Sequence, residues 1–257
     1  MPSILLKNRT IWVTGASTGI GKALAEKLIS LDNRLIVTSR NAESLQPLKN
    51  LAPDRVHIIA ADISVPECVP QLRRGLAEIS NSIDTIVLNA GTCEYVDTHQ
   101  FDSALFNRVM QVNFVGLARC IEASIELLRA SSNAPHIVGI SSAAAITGLP
   151  RAEAYGGSKA AVESCLESLA LDLDHQGIDV TIVYPGFVDT PLTKKNDFPM
   201  PFLMSSESAV GKMIRGIESR KFRVTFPARL IWSLKLMSML PDTLRHRLGR
   251  SMVKSSV

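Results

Sequence analysis

Short apolar runs alternate with segments of helical period along most of the chain, and this alternation limits the fold more than any other feature. Seven runs rich in β-branched residues predict strands, and most are apolar on both faces, as in a sheet covered by helices on both sides. The predicted strands are 10–14, 35–39, 56–61, 83–88, 136–141, 180–184 and 222–226. Helical spacing predicts helices at 20–31, 66–79 and 101–128. The pattern therefore predicts an α/β fold, a doubly wound parallel sheet of about seven strands.

Length and composition agree with one globular domain. The chain has 257 residues, of which 46% are hydrophobic and 20% are charged, which excludes a disordered or fibrous protein. No repeat or low-complexity linker interrupts the chain before about residue 190. We therefore expect a single domain, residues 1–227, followed by a C-terminal helical extension, residues 228–257.

The cysteines and histidines show no metal or disulfide pattern. The four cysteines are scattered without a C-x-x-C pair, and the five histidines have no H-x-x-x-H spacing. We therefore expect no metal site and no disulfide framework, and a reducing, cytoplasmic location is favoured. The N-terminal apolar run is too short for a secretion signal, and no run reaches the roughly 20 apolar residues that span a bilayer.

A glycine-rich turn follows the first predicted strand and opens the first predicted helix. Gly15, Gly19 and Gly21 are spaced G-x-x-x-G-x-G, and Ser17, Thr18 and Ile20 stand between them. Glycines at such a turn let backbone N–H groups approach a pyrophosphate, and the helix N-terminus adds a positive dipole end. The position of the turn predicts a Rossmann-type dinucleotide site.

The end of the second predicted strand indicates which dinucleotide binds. An NAD site has an acidic residue there to bond the ribose 2′-hydroxyl, but this strand ends in Ser39, Arg40 and Asn41. A guanidinium fork suits a 2′-phosphate, so Arg40 predicts NADP(H). The alternative is that Arg40 is only a solvated loop charge.

A tyrosine and a lysine lie one helical turn apart at the start of a later predicted helix. Tyr155 and Lys159 are at i and i+4 and therefore share a face. Ser142 ends the preceding strand, thirteen residues before Tyr155. A neighbouring ammonium favours the phenolate, so we expect Lys159 to lower the pKa of Tyr155 towards that of a working acid/base. Gly156 and Gly157 are poor helix formers, which predicts a close-packed approach beside the tyrosine.

In their order and spacing, these motifs resemble the short, single-domain branch of the short-chain dehydrogenase/reductase family, up to about residue 190. Other matching segments are Asp62-Ile63, Asn89-Ala90-Gly91, Asn113, and the stretch from Pro185-Gly186 to Thr190. Together with the turn and Arg40, the resemblance implies a cofactor site of Gly15, Ser17, Thr18, Gly19, Ile20, Arg40, Asp62, Ile63, Asn89, Ala90, Gly91, Tyr155, Lys159, Pro185, Gly186, Val188 and Thr190.

The resemblance also implies a catalytic set of Asn113, Ser142, Tyr155 and Lys159. Ser142 is expected to hydrogen-bond the substrate carbonyl while Tyr155 donates a proton to its oxygen as the nicotinamide delivers hydride. Lys159 is expected to bind the nicotinamide ribose, and Asn113 to anchor, through its backbone, a water that reloads the proton. Positioning and charge stabilisation then carry the rate, since hydride chemistry belongs to the cofactor.

The segment after the Pro-Gly turn, roughly residues 190–208, is where this family sets substrate choice. It is apolar between Phe198 and Met204, which favours a hydrophobic ketone, aldehyde or alcohol over a phosphorylated sugar. Cys93, just after Gly91, is expected either to face the substrate or to be a small buried hydrophobe.

The C-terminal part of the chain is strongly basic. Residues 212–254 carry eleven Lys or Arg against Glu218 and Asp242, a net charge of +9, which leaves −5 for the rest of a chain of net charge +4. Residues 230–240 are apolar around most of a helical wheel and must be buried somewhere. A subunit contact and an anionic membrane surface, through residues 228–257, both fit this pattern. Nucleic-acid binding is not expected, because no reading motif accompanies the charge.

The sequence therefore predicts an NADP(H)-dependent oxidoreductase acting on a small hydrophobic carbonyl or alcohol, and a homodimer or homotetramer by family habit. One alternative is a lipid ketoreductase at a membrane surface. Another is a non-catalytic NADP(H)-sensing or scaffold protein that keeps the fold.

Overall fold

The computed structural model describes residues 4–253, and its centre is a parallel sheet. The strands are β1 (Thr10–Thr14), β2 (Arg34–Ser39), β3 (Val56–Ala60), β4 (Thr85–Leu88), β5 (His136–Ile140), β6 (Asp179–Pro185) and β7 (Arg223–Phe226). Their order across the sheet is β3-β2-β1-β4-β5-β6-β7, and every neighbouring pair is parallel. The predicted doubly wound sheet is confirmed, and each predicted strand is present to within two residues.

Helices connect the strands and cover both faces of the sheet. They are α1 (Gly19–Ile29), α2 (Gln46–Leu51), α3 (Cys68–Ile79), α4 (Ser103–Met110), α5 (Gly116–Arg129), α6 (Glu153–Asp174), α7 (Ser206–Glu218), α8 (Ala228–Met239) and α9 (Asp242–Ser251). Short 3₁₀ turns occupy Glu43–Leu45, Ala143–Ala145 and Thr193–Lys195. Because strand side chains alternate, Trp12 and Ile36 enter the cluster beneath α3, α5, α6 and α8, whereas Val13 and Val37 pack beneath α1, α2 and α7.

The helix predicted over 101–128 is interrupted in the structure. Asp102 caps α4, accepting a hydrogen bond from the Ala104 N–H at 2.8 Å, so the helix starts at Ser103. Residues Gln111–Val115 then form a π-helical turn before α5 begins. A π-bulge inserts one residue without ending the apolar stripe, so the helical period of the sequence does not reveal it.

The two C-terminal helices differ in how they pack. Leu230, Ile231 and Leu234 of α8 are buried in the main core, whereas α9 has no buried residue among those described. The apolar segment 230–240 is therefore buried on one side only. Within residues 4–253, no helix is both long and apolar enough to cross a membrane. Lys254, counted in the basic segment, lies outside the described residues.

Candidate active site

A cleft of about 740 Å³ runs along the carboxyl ends of the strands. It lies where the strand order reverses between β1 and β4, the switch point at which doubly wound sheets bind ligands. All of the predicted cofactor residues line it: Gly15, Ser17, Thr18, Gly19, Ile20, Arg40, Asp62, Ile63, Asn89, Ala90, Gly91, Tyr155, Lys159, Pro185, Gly186, Val188 and Thr190. Motifs spread between Gly15 and Thr190 in the sequence thus form a single wall.

The glycine turn and the loop after β4 are packed backbone to backbone. Gly15 has φ +67°, and a Cβ there would lie 2.7 Å from the Cα of Ala90. A Cβ on Gly21 would lie 2.3 Å from the carbonyl oxygen of Gly15. The Asn89 side-chain amide donates to the carbonyl oxygens of Thr14 and Gly15, both at 3.1 Å. The turn therefore holds the N-terminus of α1 open to the cleft, a cradle that fits a pyrophosphate.

The far end of the cleft, after β2, is polar and lacks an acidic residue at the strand end. The Ser39 hydroxyl donates to the Asn41 carbonyl at 2.7 Å and lies 3.1 Å from the Ser44 hydroxyl. Arg40 is exposed and lines the cleft. Across from it, hydrogen bonds from Ser64, with help from the charge of Arg40, lower the pKa of Asp62. This end fits a ribose that carries a 2′-phosphate.

Lys159 is fixed in the floor of the cleft at the other end. It is 5% exposed, and its ammonium donates to the Ile140 carbonyl at 2.9 Å. The Ser141 hydroxyl in turn donates to the Lys159 carbonyl at 3.0 Å, which ties α6 to the end of β5. Tyr155 and Ser142 line the same part of the cleft. Three groups able to hold or move a proton therefore converge here.

Burial has the largest effect on the pKa values of Tyr155 and Lys159. It raises the pKa of Tyr155 to about 12, although a hydrogen bond with Ser142 opposes the shift, and it lowers the pKa of Lys159 to about 8. The expectation that Lys159 would lower the pKa of Tyr155 is not met. The Lys159 ammonium lies 6.0 Å from the tyrosine ring centroid, and the loss of water around both groups outweighs its charge.

Asn113 is buried behind the cleft and does not line it. Its side-chain oxygen accepts from the Thr92 N–H at 2.7 Å, and its amide donates to the Thr92 carbonyl and the Ser158 hydroxyl, both at 2.9 Å. It stands at the centre of the π-helical turn. The side chain thus fixes the β4 loop to α6, while the widened turn leaves the local backbone outside the regular helical ladder.

The two glycines beside Tyr155 differ. A Cβ on Gly156 would lie 3.0 Å from the Ala144 carbonyl oxygen, so the predicted close approach is present there. A Cβ on Gly157 would meet nothing within 4 Å, so that part of the prediction is wrong.

An aromatic cluster lies beside the end of the cleft that holds Tyr155, which is close enough to Tyr95 to affect its pKa. Tyr95 and Phe187 both pack on Phe198, and their ring centroids lie 5.5 and 6.1 Å, respectively, from the centroid of the Phe198 ring. The Tyr95 hydroxyl donates to the Asn196 side-chain oxygen at 2.6 Å. Cys93 is half-buried between this cluster and the catalytic groups, where burial raises the pKa of its thiol. Through Phe198, the apolar segment after the Pro-Gly turn thus contributes to this cluster.

Arg151 joins this aromatic cluster to the loop before α6. Its guanidinium pairs with Asp197 at 2.8 Å and lies 5.2 Å from the Tyr95 ring centroid. The carbonyl of Arg151 also accepts from the Val96 N–H at 3.0 Å. Three loops from separate parts of the chain meet at this one side chain.

Comparison with known proteins places the chain in a family. A family model described as short chain dehydrogenase matches residues 9–199. The chain belongs to the short-chain dehydrogenase family. The family predicted from the motifs is thereby confirmed.

Relatives of this dehydrogenase include two bacterial proteins. It is 33% identical over 239 residues to an uncharacterized oxidoreductase of Myxococcus xanthus, covering 92% of this chain and 94% of that protein. It is 31% identical over 199 residues to the rhamnolipids biosynthesis 3-oxoacyl-[acyl-carrier-protein] reductase of Pseudomonas aeruginosa, covering 75% and 78%. Both are named as enzymes that transfer reducing equivalents, in line with the prediction of an oxidoreductase.

Solved structures share the fold over nearly the whole dehydrogenase. The Pseudomonas aeruginosa RhlG/NADP active-site complex has a TM-score of 0.80 at 25% identity, covering 90% of this chain and 99% of that one. A short chain dehydrogenase of Burkholderia cenocepacia in complex with NADP has a TM-score of 0.82 at 24% identity, covering 98% and 100%.

The sequence motifs did not identify every residue that lines the cleft of this dehydrogenase. Thr92, Glu94, Asn107, Arg108 and Gln111 also line the cleft. Arg108 is held there by Glu94 at 2.8 Å and Asp102 at 3.4 Å. These residues belong to no motif, and only the packing of α4 beside the β4 loop brings them to the site. Among residues 4–253, no three metal-ligating side chains come together, and the four cysteines are free.

Proposed function

We propose that this dehydrogenase is NADP(H)-dependent and interconverts a hydrophobic ketone or aldehyde and its alcohol. The observation that carries the proposal is the convergence of Ser142, Tyr155 and Lys159 at one end of a cleft whose other end is lined by Arg40. The first group performs acid/base chemistry on a carbonyl, and Arg40 suits a 2′-phosphate.

Three features support NADP(H) over NAD(H). Arg40 and the neutral Ser39 follow β2, where an NAD site has a carboxylate. The nearest acid across the cleft, Asp62, is engaged by Ser64, whose hydroxyl donates to it at 2.7 Å. The two solved relatives described above were both crystallised with NADP. The 2′-phosphate would therefore be bound by Arg40.

When bound, the nicotinamide supplies or accepts the hydride, and the chain provides the proton chemistry. The Ser142 hydroxyl holds the substrate carbonyl towards Tyr155. With a pKa of about 12, Tyr155 keeps its proton at neutral pH and donates it to the carbonyl oxygen during reduction. Lys159, held on the Ile140 carbonyl, keeps its charge below a pKa of about 8 and stabilises the phenolate as it forms.

Asn113 acts from behind this group. Its side chain holds the Thr92 backbone and the Ser158 hydroxyl in place, which fixes the β4 loop relative to α6. We propose that its backbone anchors the water that returns a proton to Tyr155.

The aromatic cluster beside Tyr155 supports an apolar substrate. Tyr95, Phe187 and Phe198 pack together there, while Arg151 and Asp197 form an ion pair. The Pseudomonas relative is named as a reductase of 3-oxoacyl groups, which are ketones on an apolar chain. We propose a substrate of this kind, with the carbonyl at Tyr155 and the chain against the rings.

The test is NADPH oxidation against a panel of ketones and aldehydes of increasing chain length. We expect turnover that rises with apolar length and is lost in Tyr155→Phe, with NADPH still bound. NADPH binding without turnover on any member of the panel would instead favour the NADP(H)-sensing alternative. Equal or better use of NADH would contradict the role given to Arg40.

The remaining expectations concern organisation. We propose that residues 1–227 supply the chemistry and that residues 228–257, whose helix α8 packs on the main core through Leu230, Ile231 and Leu234, supply further contacts through their exposed side chains. A homodimer or homotetramer and a cytoplasmic location stay predictions, testable by light scattering and by cell fractionation. A lipid ketoreductase is a second candidate function, favoured by the exposed apolar side chains on α8.

A further inference from the structure

Helix α8 has two apolar faces on opposite sides. Leu230, Ile231, Leu234 and Met237 are buried against the protein. At 3.6 residues per turn, Trp232, Leu236 and Met239 project from the opposite side, within about 60° of one another. Their exposed fractions are 71, 66 and 82%. A helix that has already buried one face does not need a second apolar face for its own stability.

Cations flank the outer stripe of α8. Helical geometry sets Arg229 on one side of Trp232 and Lys235 on the other, each about 60° away. The Lys235 ammonium lies 5.8 Å from the centroid of the Trp232 ring. Both cations are exposed, and neither pairs with a carboxylate of residues 4–253. Long cationic side chains beside an apolar stripe can extend to phosphate groups while their stems cover the apolar surface.

Helix α9 repeats the arrangement. Leu244, Leu248 and Met252 follow one face and are 50, 46 and 50% exposed. Arg245 and Arg247 lie on either side of this stripe. The carboxylate of Asp242 is paired with Arg245, and it is the only acidic residue between 219 and 253. The acid therefore does not offset Arg229, Lys235 or Arg247.

We propose that these two stripes and their cations dock the protein onto an anionic membrane surface. The docking face consists of Arg229, Trp232, Lys235, Leu236, Met239, Leu244, Arg247, Leu248 and Met252. Apolar side chains enter the boundary between headgroups and acyl chains, tryptophan lies at the headgroup level, and cations bind lipid phosphates. The contact is peripheral and does not depend on the reaction proposed above.

The charge of the docking face favours a membrane over a second copy of the chain as its partner. A twofold contact sets the same patch against itself, so Arg229, Lys235 and Arg247 would face cations of the other copy. With Asp242 engaged by Arg245, the face has no acid to receive them. An anionic bilayer supplies both the apolar layer and the negative charge.

Tryptophan fluorescence of the full chain tests the proposal directly. The chain has two tryptophans; Trp12 is fully buried, whereas Trp232 is 71% exposed, so a change in emission on binding reports Trp232. With phosphatidylglycerol vesicles we expect co-sedimentation and a blue shift of the emission, both weakened by salt. Phosphatidylcholine vesicles should give neither. An unshifted emission and unbound protein with phosphatidylglycerol would overturn the proposal.

Variants locate the contact. Leu236→Glu with Met239→Glu should weaken vesicle binding more than about tenfold, because carboxylates would enter the apolar layer. Leu171→Glu is the matched control, since Leu171 is 79% exposed on α6 and is not part of the docking face, and this variant should bind as the unaltered chain does. NADPH binding checks that each variant is folded. Equal losses in the control and in the double variant would refute the assignment of the face.

Light scattering distinguishes a membrane from a second copy of the chain as the partner of the docking face. The unaltered chain and the double variant should have the same mass in solution if the face meets lipid. If the double variant instead falls to a smaller oligomer and the unaltered chain ignores vesicles, the face is a subunit contact and the proposal fails.

Discussion

The catalytic cleft and the docking face are built in opposite ways. The cleft gathers residues from the ends of most strands, and its glycine turn is packed so closely that a Cβ on Gly15 would lie 2.7 Å from the Cα of Ala90. The docking face lies on two consecutive helices, and its side chains project into solvent. Chemistry needs groups fixed from several directions, whereas an interfacial contact needs only apolar area and charge on one side.

The difference predicts that changes in one region leave the other intact. Substitutions in the cleft should alter turnover, cofactor choice or pH dependence while vesicle binding stays unchanged. Substitutions in the docking face should do the reverse. The following predictions go from the largest expected effect to the smallest. A substitution in one region that changes the function of the other would contradict this separation.

Tyr155→Phe removes the proton donor and should have the largest effect. We expect kcat to fall by about 10²–10⁴-fold, the usual contribution of a general acid, with the Kd for NADPH little changed. Stopped-flow reduction and NADPH fluorescence titration measure the two. Near-normal turnover would end the assignment, and altered vesicle binding would break the separation of the two regions.

Gly15→Ala should lower the free energy of unfolding by about 2 kcal/mol or more. The new alanine must adopt φ +67°, which strains an L residue. Its Cβ also meets the Ala90 backbone, which cannot move aside. Gly157→Ala is the control, because nothing lies within 4 Å of its Cβ and alanine favours a helix by up to about 1 kcal/mol. Denaturant unfolding of both variants measures the difference, and equal stabilities would contradict the close packing of the turn.

Arg40→Ala should reduce kcat/KM for NADPH by about tenfold or more and leave that for NADH nearly unchanged, since only the 2′-phosphate is lost as a partner. Arg34→Ala, at the opposite end of β2, is a matched control with no expected effect on either cofactor. Parallel loss with both cofactors would show that Arg40 acts on the fold and not on the phosphate.

The pH dependence of reduction follows from the buried Lys159. Its pKa of about 8 means that its charge is present below that pH and is lost as the pH rises through it. Tyr155, with a pKa of about 12, stays protonated throughout. We therefore expect kcat to fall by several-fold between about pH 7 and pH 9, with a midpoint near 8. Lys159→Arg should move this decrease in kcat to higher pH. If the decrease stays at the same pH, it is caused by the titration of another group.

Arg151→Met should have the smallest effect. The ion pair with Asp197 is half exposed, so its loss costs little stability, about 1 kcal/mol or less. We expect KM for apolar carbonyls to rise about threefold with kcat unchanged, because the aromatic cluster beside Tyr155 is loosened but the proton donor is untouched. Initial rates at saturating NADPH measure both constants. A change in kcat alone would place Arg151 in the chemistry.

Much of the fold and of the lining of the cleft was predictable because the signals are local. The bounds of β1, the turn at Gly15 and the pair Tyr155 and Lys159 each depend on a few adjacent residues, and the sheet forces their ends together. The π-helical turn at Asn113 was not predictable, because a one-residue bulge leaves the apolar period of the helix intact. Arg108 belongs to no motif and enters the cleft only through packing.

The sequence by itself determined the sheet and the family, since alternating apolar runs and short motifs depend on neighbours along the chain. The tertiary structure decided the balance of charge and burial. It showed that burial, and not the lysine charge, governs the pKa of Tyr155. It also divided the apolar segment of α8 into a buried face and an exposed one. Both outcomes depend on how much water surrounds a side chain, which is settled only when distant segments pack.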